Sequence, residues 1–176
     1  MRKVLHFFDL LEDVDAEWIA MRGTRSFVEA GHVLIHEGQD IQSVYIVIDG
    51  ELSVSSRASR NQVIATLLAG EVVGEMSFVD SRPPSASVIA RRNSTLLCIP
   101  RDLVLEKMTK DTGFAARFYR GIATFLSDRL KTTVSHFGYG AAIEESDPTE
   151  LDDEAMDRVS LAAARFDNLM QRFQTT

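Results

Sequence analysis

Within VVGEMSFVDSRPPSASVIA, from Val72 to Ala90, a glycine, a carboxylate, hydroxyls and a guanidinium stand close together: Gly74, Glu75, Ser77, Arg82 and Ser85. Gly74-Glu75 ends an apolar pair, Val72-Val73, and opens a segment that can make about one helical turn, Glu75 to Val79. The first turn of a helix carries unpaired N–H groups and the positive end of the helix dipole, so this start suits an anion. Glu75 adds an acceptor able to hold sugar hydroxyls. Anion-binding N–H groups beside a hydroxyl-binding carboxylate are chemistry for a nucleotide.

Positioning these groups requires a small cradle. The polar loop Asp80-Ser81-Arg82-Pro83-Pro84-Ser85 is stiffened by its two prolines. After it, alternation returns: Ala86, Val88 and Ala90 face one way, Ser87, Ile89 and Arg91 the other. A strand, a glycine turn, a helical turn and a loop back into a strand follow one another.

The stretch resembles the phosphate-binding cassette of cyclic-nucleotide-binding domains, the double-stranded β-helix (jelly-roll) module of the catabolite activator protein and protein kinase A regulatory subunits. The resemblance covers Phe27 to Leu105. It rests on the glycine spacing in FVEAGHVLIHEGQDIQSVYIVIDGELSV (Phe27–Val54), on TLLAGEVVGEMSF (Thr66–Phe78) and on the closing strand TLLCIP (Thr95–Pro100). It implies a mainly β fold with flanking helices, a jelly-roll barrel followed by a long helix and a C-terminal helix.

By that resemblance Glu75 would bind the ribose 2′-hydroxyl, and Ser85 and Ala86 would help hold the cyclic phosphate. The implied ligand-binding set is Gly74, Glu75, Met76, Ser77, Arg82, Ser85 and Ala86. The family's phosphate-binding arginine should come immediately before the small pair, where this chain has Pro84. Losing a bidentate arginine moves a micromolar site toward roughly the millimolar range. Arg82, two residues earlier, compensates if the Pro-Pro loop turns it inward; otherwise it points to water.

Composition sets outer limits. With 176 residues, 45% apolar and 26% charged, the chain suits one globular domain with an appendage. A net charge of −7 argues against nonspecific nucleic-acid binding. No run approaches the apolar length a membrane helix needs, and acidic residues enter at Asp9, Glu12, Asp13 and Asp15, unlike a secretory leader. Cys98 is the single cysteine, which excludes an internal disulfide and suits a cytoplasmic protein. It reads as a small buried hydrophobe.

In order, residues 1–24 form a helical lead-in, with Val4 to Gly23 helical in pattern and Asp15 as N-cap. Residues 25–110 form the barrel. Its strands are expected at Arg25–Val28, His32–His36, Val44–Ile48, Glu51–Ser56, Gln62–Leu68, Glu71–Val73, Ser87–Arg91 and Thr95–Ile99, with Asp49-Gly50 as a hairpin turn. His32 and His36 would share a strand face; without a third ligand they are weighed as ordinary side chains rather than as a metal pair. A short helix, Arg101–Lys110, turns Leu103, Val104 and Met108 inward. Residues 111–137 are a long helix capped by Asp111 or Thr112, with a stripe of Phe114, Phe118, Ile122, Phe125, Leu126, Leu130, Val134 and Phe137. Neither Arg117 nor Thr132 on this helix is assigned to the base from sequence. Residues 138–153 are an acidic linker. Residues 154–176 are an amphipathic helix with Met156, Val159, Ala163, Phe166, Met170 and Phe173 at heptad spacing.

No P-loop, nucleophile elbow, HExxH or paired zinc-site cysteines occur, so an enzyme is not expected. Nor does a winged helix-turn-helix follow the long helix, so the reading is a stand-alone module of bacterial type. Two functions remain open. One is a regulatory sensor of a cyclic nucleotide, cAMP or cGMP, signalling through helix rearrangement to a protein partner, with homodimerisation through the C-terminal helices and no required cofactor. The other is a structural or dimerisation adaptor that has lost its ligand with the arginine; intact Gly74-Glu75 favours the first and Pro84 the second. A cyclic dinucleotide is a third ligand class with no residue that positively marks it.

Overall fold

The computed structural model describes residues 10–136. Helix α1 (Asp13–Arg22) leads into eight strands: β1 (Thr24–Val28), β2 (Val33–Ile35), β3 (Ser43–Asp49), β4 (Glu51–Ser55), β5 (Val63–Leu68), β6 (Val72–Val73), β7 (Ser87–Ala90) and β8 (Ser94–Pro100). A 3-10 turn (Arg57–Ser59) joins β4 to β5, and α2 (Glu75–Asp80) lies between β6 and β7. Helices α3 (Arg101–Lys110) and α4 (Thr112–His136) come after β8. The strands make two antiparallel four-stranded sheets, ordered β1-β8-β3-β6 and β2-β7-β4-β5. This is the jelly roll with trailing helices that the resemblance implied.

Period-2 alternation explains why β3 and β8 read as continuous apolar runs rather than half-polar strands. Val44, Ile46 and Ile48 of β3, with Leu97 and Ile99 of β8, join a core with Ile19, Val104, Phe114, Phe118 and Ile122 from the helices. Val47 and Leu96, from the opposite faces of the same strands, join Ile35, Leu52, Leu67, Val73 and Val88 in a second core within the barrel. β3 and β8, in the middle of the first sheet, are therefore buried on both faces. An aromatic chain runs through the helical layer: Trp18–Phe114 at 5.4 Å, Phe114–Phe118 at 5.4 Å and Phe118–Phe78 at 5.5 Å between ring centroids. Through Phe78 this chain seats α2 on α4.

Several sequence expectations are corrected. Asp49-Gly50 is not a hairpin turn. β3 pairs with β6 and β8, whereas β4 pairs with β5 and β7, so Gly50 is the corner at which the chain leaves one sheet for the other. Asp15 does not cap its helix: Glu12 is the N-cap, and Asp15 is the third residue, closing a capping box with the Glu12 N–H at 2.9 Å. Asp15 is wholly buried because Arg117 of α4 donates to it from Nε at 2.6 Å and from Nη2 at 3.0 Å. The helix begins at Asp13, so the expected helical run from Val4 starts too early over residues 10–12; its residues 4–9 lie outside the described residues. Cys98 is half-buried, and burial pushes its thiol pKa up.

The long helix keeps its expected cap, since the Phe114 N–H donates to Asp111 Oδ1 at 2.8 Å. Its stripe is buried from Phe114 to Phe125, but Leu130 and Val134 are exposed. Phe137, the linker 138–153 and the helix expected over 154–176 lie outside the described residues. No helix among the described residues is long and apolar enough to cross a membrane.

Candidate functional site

Gly74 is the N-cap of α2 at φ +88, a conformation L side chains rarely adopt, and a Cβ there would lie 2.7 Å from Ile41 Cδ1 and 3.2 Å from the Ser43 carbonyl oxygen. The glycine thus lets β6 turn sharply into α2 and aims Glu75 back into the barrel. Glu75 lies on the wall of a cleft that opens to solvent. Its apolar wall comes from Ile35, Val54, Leu67, Val73 and Val88, and its polar side from Gly74, Glu75, Ser77, Ser85 and Arg129. Met76, Pro84 and Ala86 complete the lining.

Glu75 is 2% exposed and Ser77 is buried, whereas Met76 and Ser85 are exposed. Six of the seven expected ligand-binding residues, Gly74, Glu75, Met76, Ser77, Ser85 and Ala86, therefore surround one cleft. Arg82 does not join them. It is exposed, its N–H donates to Asp80 Oδ1 at 3.0 Å, and its side chain lines a different cavity. The cause is local: Ser81 ends α2 in the left-handed region at φ +56 and redirects the chain before the prolines. Pro84 anchors the loop by accepting the Gly38 N–H at 2.8 Å.

The cleft's cation comes from elsewhere. Arg129 of α4 donates from Nη1 to Glu75 Oε1 at 2.6 Å, and from Nη2 to Glu71 Oε2 at 3.4 Å and the Val72 carbonyl at 3.3 Å. Its guanidinium sits 4.5 Å from the centre of the Phe125 ring. Sequence reasoning missed Arg129. The available signal was its place four residues after Phe125 and seven after Ile122, a cation on the helix face that is otherwise buried.

Burial raises the Glu75 pKa above the ordinary carboxylate value, and the raising effect of Glu71 adds to it; Arg129 pulls it back only in part. Between the unfolded value of about 4.3 and the raised folded value, the native state binds more protons than the unfolded one. The favourable contribution to stability is complete below the unfolded value and is lost as pH rises through the folded value. Thermal unfolding of wild type should thus show a loss of stability across that window that Glu75→Gln removes; identical pH profiles for the two proteins would contradict the assignment.

His32 and His36 flank β2 and are both exposed. Among the described residues no group of three or more histidine, cysteine or acidic side chains is placed to hold a metal ion. The site's equipment is an apolar wall, hydroxyls, one buried carboxylate and one guanidinium. That set matches the chemistry of a ligand with a flat apolar part and polar hydroxyl and anionic edges.

Comparison with known proteins places this geometry. The family model described as cyclic nucleotide-binding domain matches residues 25–111. The chain is 27% identical over 128 residues to a lysophospholipase from Neosartorya fischeri, a match covering 72% of this chain and 8% of that protein. The chain thus spans less than a tenth of the length of that curated relative. Among solved structures, a cyclic nucleotide-binding domain from Methylobacillus flagellatus KT superposes with a TM-score of 0.69 at 18% identity, covering 86% of this chain and 84% of that one. The Thermus thermophilus catabolite activator protein superposes with a TM-score of 0.62 at 17% identity, covering 97% and 87%. At these identities the structural matches establish the fold. Taken with the family match and the cassette between β6 and β7, they make residues 25–111 a member of the cyclic-nucleotide-binding-domain family.

Proposed function

We propose that the cleft takes a cyclic nucleotide, cAMP or cGMP, and that occupancy is passed to α4. The observation that carries this reading is Glu75, a buried carboxylate inside the cleft whose oxygen is held by Arg129 of α4 at 2.6 Å. A ribose hydroxyl that donates to Glu75 acts directly on the group that fastens the helix. Ser85 and Ala86 on the same lining would take the phosphate, with Arg129 as the cation there. A ligand shifts a helix only through different affinities for its two positions, and the Glu75–Arg129 contact is where the two positions differ. Phe78 of α2 against Phe118 of α4 is a second, apolar link between cassette and helix.

In this reading the barrel of residues 25–110 senses, and α4 with the segment beyond it transmits to a protein partner. Leu130 and Val134, exposed on the continuing stripe, support homodimerisation through the C-terminal helices. The lone cysteine fits a cytoplasmic setting. The module itself would do no chemistry and need no cofactor.

A second reading has its own support. Pro84 replaces the expected arginine, Arg82 lies outside the cleft, and Arg129 already occupies Glu75. These features suit an adaptor that keeps the barrel and has given up the ligand. Isothermal titration of the full chain with cAMP, cGMP and cyclic di-GMP separates the two. Saturable heat in the micromolar range with cAMP or cGMP is the expected result. Flat traces at millimolar ligand would overturn the sensor and leave the adaptor.

A further inference from the structure

The Ser85-Ala86 pair on the cleft lining is tied on both sides to one corner of the chain, between β2 and β3. Just before the pair, the Pro84 carbonyl accepts the Gly38 N–H at 2.8 Å. Just after it, Ser87 Oγ accepts the Glu37 N–H at 3.0 Å. Two consecutive amides therefore bracket two consecutive cleft residues. The corner is itself fastened to the turn between β4 and β5. The Arg57 N–H donates to Glu37 Oε2 at 2.9 Å, and Arg57 Nη2 donates to the Glu37 carbonyl at 3.2 Å. Arg57 opens the 3-10 turn, so the Glu37 carboxylate meets an N–H that the start of such a turn leaves without an internal partner. Neither Glu37 nor Ser87 lines the cleft.

We propose that Glu37 and Ser87 are positioning residues for the phosphate end of the cleft: through this bracket they hold Ser85 and Ala86 in place for the ligand's anionic edge. The inference rests on the cyclic-nucleotide reading of the cleft. Its physical basis is preorganisation. Pro84 stands where an arginine was expected, so the pair must meet the phosphate from a loop. Groups already held in place spare the ligand the cost of ordering them. The proline ring fixes its own φ, whereas the two amides of the corner fix where the loop sits. Cutting either tie leaves every cleft residue present but lets the loop sample positions that miss the phosphate. The turn between β4 and β5 thereby acts on the site through Glu37, without lining it.

The test compares Glu37→Ala and Ser87→Ala with Glu37→Gln and Ser87→Thr, which keep an acceptor for the Arg57 and Glu37 N–H groups. Two readouts are taken on the full chain. Without ligand, amide exchange by NMR follows the Gly38 N–H. The Val47 N–H, bonded to the Glu71 carbonyl at 2.9 Å, is the control for global stability. Gly38 exchange is expected to quicken by about tenfold in both alanine variants and to stay near wild type in the conservative pair, with Val47 unchanged throughout. With cAMP and cGMP, calorimetry is expected to show affinity lowered by about three- to tenfold in the alanine variants and restored in the conservative pair. Unchanged Gly38 exchange would overturn the proposal, as would equal quickening at Val47, which marks a general loss of stability. So would nucleotide binding of the same affinity in every variant. Faster Gly38 exchange with no nucleotide binding by wild type is the separate signature of failure of the cleft reading, and it removes the phosphate role with it.

Discussion

Glu75→Ala is expected to abolish saturable cyclic-nucleotide binding while leaving the barrel folded. The carboxylate is the cleft's buried acceptor, and each hydrogen bond it makes to a sugar hydroxyl is worth about 1.5–3 kcal/mol, or roughly ten- to a hundredfold in affinity. Two such bonds lost together would weaken a micromolar site by roughly a hundredfold to ten-thousandfold. The fold should survive because Arg129 keeps the Glu71 carboxylate and the Val72 carbonyl as partners and is partly solvated, with 26% of its side chain exposed. Titration calorimetry alongside thermal unfolding separates the two effects. Unchanged affinity in a folded Glu75→Ala protein would remove Glu75 from the site and with it the proposed route to α4.

The largest effect on stability is expected at the corner between the sheets. Gly50 sits at φ +124, and a Cβ there would meet Ser94 at 2.0 Å from Oγ, 2.3 Å from Cβ and 2.7 Å from the backbone Cα. Ser94 cannot withdraw easily: it is 1% exposed, accepts the Glu51 N–H at 3.2 Å and donates to the Arg92 carbonyl at 2.8 Å. Backbone strain of about 1–3 kcal/mol and overpacking of similar size therefore add in Gly50→Ala. At about 2–4 °C per kcal/mol the midpoint should fall by roughly 10 °C. Gly31→Ala is the control, since Gly31 also has a positive φ, +88, but no atom within 4 Å of the added Cβ. It should lose only the strain component. Equal losses at the two positions would show that contact with Ser94 contributes nothing.

Both predictions act through contacts between residues distant in sequence, and this is where sequence reading reaches its limit. Short-range patterns were legible. Apolar alternation and glycine turns located the strands to within a residue or two, because strand faces and turns depend on near neighbours. Arg101–Lys110 was bounded as a helix, and the cap of the next helix was narrowed to Asp111 or Thr112, of which Asp111 is the one, by the same local chemistry. Gly74 and Glu75 could be picked out from the glycine turn into a helical start, whereas Ser85 and Ala86 were picked out by the family resemblance; all four line one cleft.

Features set by long-range packing were not legible. Asp49-Gly50 has the composition of a hairpin turn, yet β3 and β4 belong to different sheets, since pairing is decided by which faces bury together. Asp15 looks like a helix cap, but Arg117, 102 residues away, makes it a buried ion-pair partner. Arg82 looks like a substitute phosphate ligand, but the left-handed turn at Ser81 sends it into another cavity. Arg129 looks like one more charge on a long helix until docking of α4 brings it to Glu75, 54 residues earlier. Neighbours along the chain settle the elements and the position of Glu75 just after the Gly74 turn, and these could be read before folding. The burial of Glu75 and the choice of Arg129 rather than Arg82 as the cleft's cation come from docking of α4, because side-chain partners across long separations are chosen by how whole elements pack.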